Sequence, residues 1–571
     1  MNYIWVYLEE LVTFIIILIT SYIPESIKYT RFFGPVYYYF MQAIYNRIRK
    51  SETVNYVDSN TVIETNHYGR SLSGTNTNLQ CPLRGSVLQP ILYATPMHRV
   101  SWDTKPIIRK SILKLLTRTE QIEEDKINVL AGAWIQFMIH DWFNTTNEVY
   151  EKDGHRYNHN VNDHWWSGSQ IYGTEEGRRQ FGKVKTRENS TLRDGDYLKV
   201  KGEYLPLDKN NAEVVGFYAN FWSGLGFLHH LFVLEHNYIV DKLKQNGCEP
   251  SRVFDTARLI ITAMIAKIHT IDFSTAAIQN KSARLSQYVM WHGLKGRLNI
   301  KTSIGIIDGA HTTYDSKTNF THNVEFISVY RIHSLLPDVI KLRSYKDDHE
   351  VLDTIPFDSI ILKNSSTINQ TREGKLNLLY TIGVTKACKL CLYNYPTTLR
   401  NLGSIDLAEI ELIRDKERGV PKYNEMRRTV FLKPYADFTD MTDDQKTIDL
   451  LREAYPEGID TMDAIIGLHL EEKIPGTIFG ETTYVVLSAN TGKRIDRDRF
   501  LTECYTPEYY TKFGINHVES SSMSKILLRH YPEIEHVIQK DTNAFIPRND
   551  RDAKKLYEDV TGTFLDNFFY L

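Results

Sequence analysis

Apolar positions gather along this chain into three long runs that leave almost no polar face. They are Ile127–Phe143 (INVLAGAWIQFMIHDWF), Phe221–Leu243 (FWSGLGFLHHLFVLEHNYIVDKL) and Phe254–Phe273 (FDTARLIITAMIAKIHTIDF). A helix that is hydrophobic all round has to be buried, so these runs predict the helical heart of a large core. Helical periodicity begins at about Ile107, and strand-like stretches after it are few and short. Residues from Glu52 to Val100 are rich in Asn, Thr, Ser and Gly and predict irregular structure. Without an internal repeat or a flexible linker after about residue 55, the pattern predicts one mainly α domain over residues 56–571.

The N-terminal 55 residues differ from the rest. Leu11–Ile23 is an uninterrupted apolar stretch, too short for the roughly 20 residues of a transmembrane helix. It lacks the basic flank and cleavage site of a signal peptide. Arg31–Lys50 mixes aromatic with basic residues, which suits a helix lying in a membrane interface and equally a helix packed on the domain. A single-pass anchor is the third alternative. An intracellular location at the periphery of a membrane is the expectation.

Composition narrows the function. With 42% hydrophobic and 24% charged residues, the 571-residue chain can bury a sizeable core. A net charge of -2 leaves no basic excess to neutralise phosphates, which argues against a nucleic-acid partner. Five cysteines (Cys81, Cys248, Cys388, Cys391, Cys504) are too scattered for a disulfide framework, and the CKLC pair lacks a second pair for zinc. These thiols read as structural, in a reducing compartment.

Chemistry concentrates in four stretches. In Ser328–Asp338 (SVYRIHSLLPD), Tyr330 and His333 are three residues apart, which on a helix puts them on one face. A histidine there can hold a haem iron, with the phenol beside the macrocycle as a source of an electron and a proton. By themselves these two residues serve amphipathic packing as well. Gln136 and His140 share a face of the first apolar run. They suit a distal haem pocket in which His140 takes a proton from hydrogen peroxide, or a satisfied polar pair in the core. Asp141 points about 100° away from His140. Downstream, Asp163, Trp165, Ser167 and Ser169 alternate in NDHWWSGSQIYG, so an extended segment would face them one way. With Asp141 they form an oxygen-rich set of the kind calcium takes, and otherwise an ordinary polar loop.

WIQFMIHDW, NDHWWSGSQIYG, FVLEHN, ARLIITAMIAKIHTIDF, VYRIHSLLPD and IDRDRF stand in this order in the chain. In that order they resemble the peroxidase–cyclooxygenase superfamily of haem proteins, as does Ile405–Arg428. IHTIDF, IIDGAHTTYD and YTKFGINHVESSSMSKILLRHYPEI look most like the fatty-acid α-dioxygenases known from plants. The resemblance runs from about Trp102 to the C-terminus and implies a haem peroxidase-like helical fold that carries haem b. It implies His333 as proximal ligand, His140 as distal histidine with Gln136 beside it, and Tyr330 as radical-bearing phenol. It also implies a calcium site at Asp141, Asp163, the Trp165 carbonyl, Ser167 and Ser169. There the family's usual threonine is Asp163 and its second aspartate is Ser167. The fatty-acid carboxylate would be held by His269, by Ser274 in place of a threonine, and by Arg499, with Arg497 and Arg529 as weaker candidates. Hydrogen abstraction at C2, followed by addition of O2, would give a 2-hydroperoxy fatty acid, with peroxide as activator and oxylipin formation as the setting. The alternatives are a peroxidase or cyclooxygenase-like enzyme, acting on phenols or mid-chain on a polyunsaturated acid, and a non-catalytic haem or lipid carrier.

Overall fold

The three apolar runs become the central helices of the protein, and their buried faces meet. The computed structural model describes residues 106–548 apart from 144, 153–154, 161, 163–165, 174–192, 203, 208–212, 217–221, 281–323, 348–349, 362–363, 365, 404, 418–419, 431, 499, 502–503 and 539–541. The N-terminal segment therefore lies outside the described residues. So do Asp163, Trp165 and Arg499. After helix α1 (Pro106–Leu116) and strand β1 (Glu123–Asn128) comes α2 (Val129–Trp142). Two further central helices follow, α3 (Ser223–Gln245) and α4 (Val253–Lys267). Only Gln136 and Ile139 of α2 escape full burial, as its all-round apolar sequence predicts.

Local chemistry sets where these helices begin and end. Asn128 caps α2 by accepting a hydrogen bond from the Ala131 amide, 3.1 Å. The Asn128 side-chain Nδ2 donates to the carbonyls of Gly383, Ala544 and Ile546, pinning the helix start to two distant segments. Helix α3 ends in Lys242 and Lys244, cations that suit the negative end of its dipole. It closes with Gly247 in the left-handed region (φ 72°), where a side chain would be strained.

Aromatic packing joins the layers. Phe137 of α2 stacks on Phe232 of α3, and Trp134 meets both Phe232 and Phe545 with ring centroids under 6 Å apart. Seven further helices matter here: α5 (Val324–Tyr330), α6 (Arg372–Val384), α7 (Leu407–Glu417), α8 (Ala464–Leu470), α9 (Glu481–Arg497), α10 (Pro507–Ser520) and α11 (Met523–His530). Gly514 lets α10 approach α4; a Cβ there would lie 2.7 Å from Ile260. Among the described residues the strands form only two-stranded antiparallel pairs, such as β1 with Lys386–Cys388 and Val339–Arg343 with Val351–Pro356. The mainly α expectation holds.

One helical stretch, Pro250–Ala277, is long and apolar enough to cross a membrane, yet 78% of its most apolar window lies inside the protein, as in a core helix. Cys388 is buried, and burial pushes its thiol up to about 12, so it is inert at physiological pH.

A buried carboxylate ties α3 to the C-terminal helices. Glu235 is wholly buried and accepts from His517 Nε2 (2.8 Å), Arg529 Nη1 (2.5 Å) and His530 Nε2 (2.7 Å). Burial pushes its carboxyl up, but the bonds from His517 and His530 and the Arg529 charge overcome this and hold it at about 2. Because the folded value is below the ordinary 4.5, this stabilisation is present above pH 4.5 and is lost as the pH falls towards 2. Glu235→Ala strands these donors, and urea titration at pH 7 should show a loss of about 3–5 kcal/mol. Equal stability of the variant would remove the cluster from the account of the fold.

Candidate active site

The corner at Tyr330 is where the helix α5 stops. Ile332 has φ −101° and ψ 43°, and His333 opens a separate short turn. The expectation of a continuous helix with Tyr330 and His333 on one face is therefore corrected. Tyr330 is buried among aromatic rings and meets His269, whereas His333 meets Glu411 and keeps 24% of its side chain accessible. Helix termination, which depends on what α5 packs against, separates the two side chains.

Helix α7 holds this corner. Glu411 and Asp415 lie one turn apart on one face of it. Glu411 Oε1 is 2.5 Å from His333 Nδ1, and Asp415 binds both Arg331 and the Ser328 hydroxyl. With Nδ1 occupied by a carboxylate, His333 presents Nε2 as the free ligand atom, the arrangement that orients metal-binding histidines. The residues present thus fit a haem at His333. Neither acid was singled out from the sequence; two acids four apart in IELIRDKE were the available signal. Glu411→Ala should weaken haem affinity about 10–100-fold, measured by haem titration of the Soret band. Unchanged affinity would deny Glu411 this role.

Tyr330 faces the end of α4. There the α-helix passes into a π-helical segment, Ile268–Phe273, a wider turn often found at functional sites. Lys267 anchors its start by donating to the carbonyls of Val518, Glu519 and Ser521 at the end of α10. The widened turn carries His269 inward and leaves Ile271 exposed. His269 Nε2 lies 3.2 Å from the Tyr330 hydroxyl, and Trp134 Nε1 donates to His269 Nδ1 at 3.2 Å. Phe273 stacks on His269, while Trp142 and Phe326 pack against Tyr330, so phenol and imidazole sit in an aromatic box. The Ser274 hydroxyl donates to the His269 carbonyl, 3.1 Å, and must rotate to donate to a ligand.

On the other face of α2, His140 is buried, and burial pushes its imidazole down to about 3, so it stays neutral and able to take a proton. Gln136 Oε1 accepts from Trp222 Nε1 at 3.0 Å. A third polar side chain, His229 of α3, is buried beside them with its ring edge on Phe137. Burial and the neighbouring His140 hold it neutral. The sequence reading missed it because a histidine within an apolar run carries no distinguishing spacing.

Asp141 points away from His140, as its helical position implies. Its Oδ1 accepts from the Ser169 amide at 2.6 Å and lies 3.4 Å from the Ser167 hydroxyl, which is 2.7 Å from the Ser169 hydroxyl. The three described members of the oxygen set therefore meet. They do not meet as an extended segment: Gly168 is left-handed (φ 68°) and a short helix, Ser169–Tyr172, starts directly after it. One carboxylate and two hydroxyls fit a hard cation. Arg258 donates to the Ser167 carbonyl from the opposite side.

Of the arginines considered, Arg529 is committed to Glu235. Arg497 ends α9, and Arg499 lies outside the described residues.

With this geometry in place, likeness to known proteins is specific. Residues 146–545 match the animal haem peroxidase family. The chain is 33% identical to α-dioxygenase PIOX of Oryza sativa subsp. japonica, covering 76% of this chain and 78% of that one. It is 31% identical to α-dioxygenase 2 of Arabidopsis thaliana, covering 76% of each. The crystal structure of Oryza sativa fatty acid α-dioxygenase superposes with a TM-score of 0.78 at 26% identity, covering 95% of this chain and 97% of that one. A tyrosine-to-phenylalanine form of that rice protein, solved with palmitic acid, gives 0.77. The family match over residues 146–545 and the identities to these relatives show that the chain belongs to the animal haem peroxidase family, among its α-dioxygenases.

Proposed function

We propose that this protein is a haem-dependent fatty-acid α-dioxygenase that converts a long-chain fatty acid and O2 into the 2-hydroperoxy acid. The observation that carries this reading is the 3.2 Å between His269 Nε2 and the Tyr330 oxygen. A carboxylate held at His269 has its C2 one C–O and one C–C bond away from the bound oxygen. Tyr330 is therefore beside C2 and far from the middle of the chain. Regiochemistry follows from anchoring one end of a flexible substrate in a near-attack position.

Bound haem supplies the one-electron oxidation of the Tyr330 phenol. His333 would hold it, with Glu411 orienting the imidazole, and neutral His140 would accept a proton from the activating peroxide. The Tyr330 oxygen then takes a hydrogen atom from C2, and O2 adds to the carbon radical. The resulting peroxyl recovers the hydrogen atom from Tyr330, so the phenoxyl is regenerated and the net change is insertion of O2 into the C2–H bond. Arg499 is assigned to the carboxylate together with His269 and Ser274, since its planar fork gives two charge-assisted bonds. The aromatic box of Trp142, Phe326 and Phe273 excludes water from the radical.

Oxygen uptake with palmitate by the haem-loaded chain, followed by location of the new oxygen, tests this. Oxygen at C2 is expected. Oxygen placed mid-chain, or uptake restricted to polyunsaturated acids, would overturn it.

Calcium at Asp141, Asp163, Trp165, Ser167 and Ser169 is part of the proposal, supported by the meeting of the Asp141, Ser167 and Ser169 oxygens. Calcium at 100 times its dissociation constant would add about 2.7 kcal/mol of stability. Dialysis against a chelator should then lower the melting temperature and calcium should restore it, with neither effect in Asp141→Asn. A melting temperature indifferent to calcium would remove the ion. Peripheral contact with an intracellular membrane through residues 1–55 rests on the aromatic and basic residues of Arg31–Lys50.

A further inference from the structure

Trp134 is wholly buried in α2, and its indole nitrogen contacts a side chain 135 residues away. An indole N–H is a donor only, whereas each nitrogen of a neutral imidazole is either donor or acceptor. Since Trp134 Nε1 donates to His269 Nδ1, that nitrogen must keep its lone pair. The imidazole proton is then on Nε2, the atom 3.2 Å from the Tyr330 oxygen.

We propose that Trp134 is a positioning residue that locks His269 in its neutral Nε2–H form, making that N–H the donor shared in turn by the Tyr330 oxygen and the substrate carboxylate. Two consequences follow. Without substrate, His269 donates to Tyr330 and does not receive the phenol's proton, so that proton leaves by another route. With substrate, the carboxylate becomes the acceptor of the same N–H and frees the Tyr330 oxygen to take the hydrogen atom from C2. An imidazolium is also disfavoured, because its Nδ1–H would face the Trp134 N–H. The sequence marks Trp134 only as one more apolar position of a buried helix.

The proton's place is read directly by neutron diffraction of the D2O-exchanged protein at neutral pH. Deuterium on His269 Nε2 and none on Nδ1 is expected, and deuterium on Nδ1 overturns the inference. This measurement needs no activity, so it stands apart from the fatty-acid reading on which the catalytic consequence rests. For that consequence the variant is Trp134→Phe in the haem-loaded chain. Releasing Nδ1 lets the other tautomer form, whose Nε2 lone pair repels a carboxylate. The palmitate KM should rise about tenfold at pH 8, the worth of one hydrogen bond to a charged group, while kcat changes little. A loss that falls equally on kcat and KM would make Trp134 a packing residue only.

Discussion

His333→Ala is expected to lose the Soret band and all fatty-acid oxygenation together. The imidazole Nε2 is the ligand atom that the Glu411 contact leaves available, and alanine offers none. The loss is of cofactor rather than of fold. His333 keeps 24% of its side chain accessible and sits in a short turn outside the buried helices, so its removal empties little core. The melting temperature should fall only slightly, and the Glu411 carboxylate, freed of its partner, accounts for the change that occurs. Haem titration with absorbance, alongside oxygen uptake, checks both halves. A variant that still gives the histidine-ligated spectrum would take the proximal role away from His333.

Tyr330→Phe has the second large effect, and it separates radical chemistry from haem binding. Phenylalanine fills the same aromatic box against Trp142 and Phe326 and deletes only the hydroxyl. Haem uptake and the Soret band should match the parent. Oxygen uptake with palmitate should fall to background, and the tyrosine-centred paramagnetic signal after peroxide should vanish, because the hydroxyl that would take the hydrogen atom from C2 is gone. Leaving the His269 N–H without its acceptor costs about 1–3 kcal/mol, visible as a modest drop in melting temperature and reduced where bound carboxylate takes the bond. Retained oxygen uptake would end the radical role of Tyr330 and with it the proposed regiochemistry.

The family was legible beforehand for a simple reason. The stretches around Tyr330, His333, His140, Gln136 and Asp141 stand in an order that carries a family likeness, and residues 146–545 match the animal haem peroxidase family. The side-chain partners were not legible. Glu411 reaches His333 across 78 residues of sequence and Trp134 reaches His269 across 135. No spacing rule connects such pairs. Gly168 shows the same limit on a smaller scale, since a left-handed turn, rather than the alternation of a strand, brings Ser167 and Ser169 together.

From its sequence alone this protein is determined to be mainly helical and built around three largely buried helices, with motifs that resemble the haem α-dioxygenases. The helices follow from side-chain apolarity and periodicity, which act over a few turns of the chain, and the likeness follows from the order of the motifs. Tertiary structure alone decided that α5 ends at Tyr330, that Ile268–Phe273 widens into a π turn, and that Tyr330 meets His269 while His333 meets Glu411. Where a helix stops or widens is set by what ties down its end: here α7 holds Arg331 and His333, and the end of α10 holds Lys267. Those ties form only once distant segments have packed, so the direction of each reacting side chain is a property of the assembled core.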